Sequence, residues 1–139
     1  MLGLACVSMG AATVLMASGE DLPRNVKAVI ADCGYTSEWD EFQREADALH
    51  IPWFPVLNAT SVLSKIRDGY DFKQASALAQ VKKSRIPTLF IHGSSDELVP
   101  YSMLGELYAA AACEKEELTV EGAGHALSSS VAPTLYWRT

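Results

Sequence analysis

Along this chain, short runs of apolar residues alternate with longer stretches in which apolar and polar positions recur at helical spacing. Leu2 to Val7 is such a run, and it gives way at Ser8 to an alanine-rich segment, Met9 to Ser18, which reads as a strand followed by a helix. After the polar break Asp21-Leu22-Pro23-Arg24-Asn25, Val26 to Ala31 is almost continuously apolar, as expected of a parallel strand covered on both faces. Asp32-Cys33-Gly34-Tyr35 leaves that strand, and Ser37 suits a helix N-cap with Glu38, Asp40 and Glu41 in the first turn. That helix should run to about His50. Ile51-Pro52-Trp53-Phe54-Pro55 then interrupts it, and Asn58 or Thr60 is expected to cap a helix ending near Arg67, before Asp68-Gly69-Tyr70-Asp71. A short helix near Phe72 to Val81 leads to the strand Pro87 to Ile91 and the loop His92 to Glu97. Tyr101 to Ala112 has helical composition, Leu118 to Val120 is a brief strand, and Ala126 to Arg138 suits a final helix kinked at Pro133.

Strand and helix in alternation imply an α/β fold: a parallel sheet with helices on both faces and right-handed crossovers, forming one domain over residues 1–139. The segment from about 37 to 81 is a helical, cap-like insertion. In such sheets, ligands bind beyond the carboxyl ends of the strands. Ser8, Asp32, Asp96 and His125 each follow an expected strand at that end, so four reactive residues should share one rim.

Composition narrows the classes. An apolar fraction of 49% with 20% charged residues suits a chain that folds around a core. The net charge of −6, with no basic cluster beyond Lys82-Lys83, argues against nucleic acid as a partner. Three widely separated cysteines, Cys6, Cys33 and Cys113, fit neither a disulfide framework nor a zinc spacing and are expected to be buried as small hydrophobes. No metal or cofactor is expected. Residues 1–19 lack any charge and so compare with a leader or a membrane span, but a secretory leader carries lysine or arginine before its apolar core, and none precedes Glu20. A cytoplasmic location without a span in this chain is the expectation; a cleaved leader would leave a mature terminus near Ser18 or Gly19.

The abrupt turn at Ser8 reads as a nucleophile elbow, in which a strained turn between strand and helix points the hydroxyl off the sheet. Gly10 supplies the small residue two places on, while Cys6 stands where G-x-S-x-G has its first glycine. A serine hydroxyl needs an imidazole to take its proton, and His125, on the glycine-rich loop Glu121-Gly122-Ala123-Gly124-His125, is the candidate base. His92, at a strand end, is expected to make a structural hydrogen bond, and His50 to interact with the end of its helix. The imidazole in turn needs a carboxylate to fix its tautomer. Asp96 ranks first, ahead of Asp32 and Glu121, with capping of the helix after Pro100 as its alternative role.

With these residues in place, the order Ser8, Asp96, His125 resembles the α/β-hydrolase superfamily, whose triads run serine, acid, histidine. Cys6-Val7-Ser8-Met9-Gly10-Ala11-Ala12-Thr13, Asp32-Cys33-Gly34-Tyr35-Thr36-Ser37, Ile91-His92-Gly93 with Asp96 and Val99-Pro100, and Gly122-Ala123-Gly124-His125 together are similar to a bacterial branch of prolyl-oligopeptidase-like and esterase-like serine hydrolases. The resemblance implies that the four strands are the last four of eight and that the N-terminal strands are missing, leaving the first strand with an unpaired apolar edge prone to homo-oligomer formation. It also implies one oxyanion donor at the backbone N–H of Met9, with a second in the missing half. The implied chemistry is hydrolysis of a small ester or acyl substrate through an acyl-serine intermediate without a cofactor. Trp53, Phe54 and Tyr35 are candidate substrate-binding residues beside Trp39 and Tyr70. Serine peptidase activity, and a non-catalytic fragment serving binding or assembly, are the alternatives.

Overall fold

The computed structural model describes residues 1–139. Strands β1 (Leu2–Val7), β2 (Val26–Asp32), β3 (Thr88–Gly93) and β4 (Lys115–Val120) form a single sheet in the order β1-β2-β3-β4, every pair parallel. Register places Val7 opposite Asp32, Asp32 opposite Ile91, and Gly93 opposite Val120. The carboxyl ends of all four strands therefore finish along one rim.

Alternation along the strands divides the core. Val29, Ala31 and Phe90 face helices α1 (Met9–Ser18), α4 (Ala77–Val81) and α5 (Ser102–Ala110), packing with Ala11, Leu15, Val81, Leu104 and Leu107. Ile91, Leu118, Val120 and Ala123 form a smaller cluster on the opposite face, joined by Ile30, Leu89, Ala132 and Tyr136. That face is covered only in part, by the short α6 (Ser128–Val131) and α7 (Pro133–Tyr136), and it keeps an apolar cavity of about 360 Å³ lined by Val7, Ile30, Leu89, Ile91, Tyr136 and Trp137 among others. The α/β-hydrolase-like reading of the sheet holds.

Several boundaries moved. Asn58 and Thr60 cap nothing: α3 (Trp53–Asp68) opens at Pro52, with a non-helical Phe54 absorbing the bend between the two prolines, and Thr60 Oγ1 bonds back to Val56 O within the helix. Gly69 ends α3 at φ +87, a conformation that glycine adopts without Cβ strain. Residues 72–74 form a turn, and Ser76, bridged to Ser37, caps α4 through the N–H of Ala79. The expected final helix is two short ones, broken at Ala132, because Pro133 cannot continue the preceding helix. Ser37 caps α2 (Glu38–Ala48) as expected, accepting from the N–H of Asp40. No helix is long and apolar enough to cross a membrane.

Candidate active site

Ser8 is the turn between β1 and α1. Its backbone sits at φ +56, ψ −123, which an L-residue holds only when the surroundings impose it. Here the N–H of Ser8 bonds Asp32 O across the sheet while Ala12 N bonds Ser8 O as α1 begins. Gly10 sits in a tight contact, since a Cβ there would lie 3.1 Å from that of Cys6. The cysteine that replaces the first glycine of the motif thus packs over the second.

The side chain of Ser8 does not cap α1. It reaches His125, Oγ to Nε2 2.7 Å, and His125 Nδ1 lies 2.9 Å from Asp96 Oδ2. Because a carboxylate only accepts, the Nδ1 proton points at Asp96, leaving Nε2 as the lone-pair site toward which the Ser8 hydroxyl donates. Asp96 is fully enclosed at its side chain and accepts from three N–H groups. Oδ1 accepts from Leu98 and Val99 N–H at 3.0 and 2.9 Å, and Oδ2 lies 3.3 Å from His92 Nε2. One oxygen thus organises the turn that follows and the other faces His125, while the helix after Pro100 is not capped by Asp96: α5 has Tyr101 at its N-cap and no side-chain cap. The His92 Nε2–H donates to Val99 O at 3.0 Å, the structural hydrogen bond expected of it.

The other candidate acids point elsewhere. Asp32 is buried and accepts from Ser128 Oγ at 3.1 Å; burial pushes its carboxyl above the ordinary range, against the Ser128 hydrogen bond and the nearby histidines. Glu121 accepts from Ser94 Oγ. His50 lies past the end of α2, at φ +56.

Tyr35 is buried against Ala12, Val99 and Met103, and burial pushes its phenol up to about 12. Trp53 stacks edge-on to Trp39 and Phe54 on the insertion, and Phe54 is 66% exposed. None of Tyr35, Trp53 and Phe54 lines the apolar cavity against the sheet. The apolar groups in sequence next to the reactive pair are instead Met9 and Leu127, exposed to 68% and 49%.

Two features escaped the sequence reading. Ser128 ties the loop after His125 to the end of β2, and Cys33 stands with its Sγ, a carboxylate oxygen of Asp96 and a ring nitrogen of His125 all within 4.8 Å of one another. The position of Cys33 directly after β2 was the one available signal; Ser128 carried none. Of the other cysteines, Cys6 and Cys113 are half-buried rather than buried.

The model of the prolyl oligopeptidase family matches residues 2–136. The chain belongs to that family. Prolyl oligopeptidase relatives are serine peptidases and hydrolases built on the α/β-hydrolase fold. Among individual proteins, YqkD of Bacillus subtilis is 29% identical over 140 residues, covering 100% of this chain and 46% of YqkD. Rv2307c of Mycobacterium tuberculosis is 30% identical over 118 residues, 85% of this chain and 35% of that protein. The chain thus spans less than half the length of these relatives. Among solved structures, an α/β fold family hydrolase from Bacillus anthracis superposes with a TM-score of 0.67 at 14% identity, covering 97% of this chain and 64% of that one. The acylaminoacyl peptidase of Pyrococcus horikoshii does so with a TM-score of 0.65 at 17% identity, covering 94% and 20%. At those identities the likeness is one of fold.

Proposed function

We propose that this chain carries the acyl-transfer centre of a serine hydrolase, with Ser8 as nucleophile, His125 as general base and then general acid, and Asp96 as the carboxylate that orients it. The observation that carries the reading is the unbroken line from Ser8 Oγ through both ring nitrogens of His125 to Asp96, at 2.7 and 2.9 Å. His125 takes the hydroxyl proton as Ser8 attacks an acyl carbon, the imidazolium is held by Asp96, and the proton passes to the leaving group. Water then repeats the sequence on the acyl-serine. The backbone N–H of Met9, first in α1 and without an intrahelical partner, is the oxyanion donor, aided by the positive end of the helix.

Carboxylic esters with apolar acyl groups are the proposed substrates, because the surface beside Ser8 and His125 exposes Met9 and Leu127. Cleavage of peptides is the second reading, favoured by the family match over residues 2–136. The insertion between β2 and β3 is proposed to cover the site in the whole protein, through Trp53 and Phe54.

The test is labelling with a fluorophosphonate, followed by turnover of p-nitrophenyl esters and of aminoacyl amides. Ser8-dependent labelling that disappears in Ser8→Ala and in His125→Ala is expected, with esters turned over faster than amides. A folded chain that never labels would refute the assignment and leave the reading of a binding or assembly fragment.

A further inference from the structure

Three loops, each leaving a different strand, bring together a thiol, an imidazole and a carboxylate. Cys33 follows β2, Asp96 follows β3 and His125 follows β4, and their ligand atoms all lie within 4.8 Å of one another. The backbone around them is held rather than relaxed: Ser8, Cys33 and Ala126 all have positive φ, at +56, +48 and +58. Cys33 has almost no exposed surface, and its sulfur faces the N–H groups of Ser8 and Ala126. In sequence these residues have no metal-motif spacing, because the cluster exists only where the strand ends meet.

We propose that Cys33, Asp96 and His125 form a site for a thiophilic divalent cation, zinc above all, and that its occupation switches Ser8 off. The donor set of one sulfur, one imidazole nitrogen and one carboxylate oxygen matches the three-ligand, open-position pattern that zinc takes. Ligand atoms around tetrahedral zinc stand roughly 3.3 to 3.7 Å apart when its bonds are 2.0 to 2.3 Å. Asp96 Oδ2 and His125 Nδ1, now 2.9 Å apart, therefore have to open by a few tenths of an ångström around the ion, while Cys33 Sγ, within 4.8 Å of both residues, draws in. His125 can supply that movement, since it sits on a loop with Gly122 and Gly124 and its side chain is 20% exposed.

Charge favours the same ion. Coordination forms the metal–sulfur bond as the S–H bond breaks, and the thiol proton leaves to buffer; the metal takes the place of the proton that His125 Nδ1 directs at Asp96, which moves through solvent to Nε2 so that the ring stays neutral, and the metal keeps its oxidation state, so no oxidant enters. Thiolate and carboxylate then balance a dication, leaving no uncompensated buried charge. Magnesium and calcium do not meet the requirement, because they prefer oxygen ligands.

A metal bonded to His125 takes the lone pair or the orientation that the Ser8 hydroxyl requires. That consequence rests on the proposed function, whereas the site itself does not.

The experiment uses cobalt(II) as a spectroscopic stand-in for zinc. Titration of the reduced full chain with Co(II) should produce a thiolate-to-cobalt charge-transfer band in the near ultraviolet, which Zn(II) abolishes by displacement and Mg(II) leaves alone. Cys33→Ser should remove the band and weaken binding by at least tenfold, since even outer-shell partners contribute about 10- to 100-fold. His125→Ala, which keeps the thiol, should weaken binding similarly and serves where Cys33→Ser fails to fold by circular dichroism. Zinc should slow fluorophosphonate labelling of the native chain, and in Cys33→Ser the ratio of the labelling rates without and with zinc should fall to near one. No charge-transfer band, or a band that survives in Cys33→Ser, would overturn the site; a chain that binds cobalt as described yet never labels would overturn only the assignment of Ser8.

Discussion

The placement of His125 depends on a close approach of two backbones, and one methyl group tests it. Gly93 ends β3, and a Cβ built on it would lie 2.2 Å from Ala123 O and 2.7 Å from Ala123 C. Those are main-chain atoms two residues before His125, with Ala123 fully buried and its carbonyl already accepting from Ser95 N–H at 3.0 Å. Ordinary contact begins near 3.4 Å, so Gly93→Ala demands a displacement of about 1 Å in the strand end or in the loop. Overpacking of this kind costs about 1 to 3 kcal/mol. Moving His125 by that distance lengthens both the 2.7 and 2.9 Å hydrogen bonds, and a 1 Å misplacement of a reacting group costs on the order of 100-fold in rate. The assay is the second-order rate of fluorophosphonate labelling, alongside urea unfolding. Gly105→Ala is the matched control: it lies in α5 with nothing within 4 Å of its Cβ position, and should stabilise by roughly 0.5 to 1 kcal/mol without changing labelling. Gly93→Ala labelling at the native rate would show that the approach of β3 to the loop does not position His125.

Other outcomes follow from the same geometry. Asp96→Asn keeps the acceptor for Leu98 and Val99 N–H but favours the wrong His125 tautomer, so labelling should fall by about 10³- to 10⁴-fold while the urea midpoint changes little. Asp32, whose folded-state proton is held above its ordinary 3.8 by burial, contributes stability that is full below pH 3.8 and lost as pH rises through the folded value; Asp32→Asn should lose less stability than the native chain between acid and neutral pH, measured by urea unfolding across that range. At the other edge of the molecule, β1 pairs only with β2 and exposes Leu2 and Val7 to 49% and 44%. Sedimentation velocity should therefore show concentration-dependent self-association, reduced by Val7→Lys, and a monomer at every concentration would count against an open edge.

The rim could be read before any coordinates were known because every strand that carries a reactive residue is a short apolar run bounded by turn formers, and such runs specify their own ends. Ser8, Asp96 and His125 were legible for that reason, as was the Ser37 cap. The insertion was legible only in outline. Pro52 and Pro55 mark a bend, yet whether the helix resumes at once or later depends on what Trp53 packs against, and α3 starts earlier than Asn58.

Residue pattern by itself thus determined the order of elements, the parallel sheet and the rim on which Ser8, Asp32, Asp96 and His125 stand, since each follows from local periodicity and from where the strands end. Only tertiary structure decided which carboxylate faces His125, that Tyr35 is buried, that Ser128 anchors Asp32, and that Cys33 joins the rim. Those facts depend on distances between loops far apart in the chain, which are fixed by how the strands register and how closely Gly93 lets two backbones approach. No local pattern encodes them.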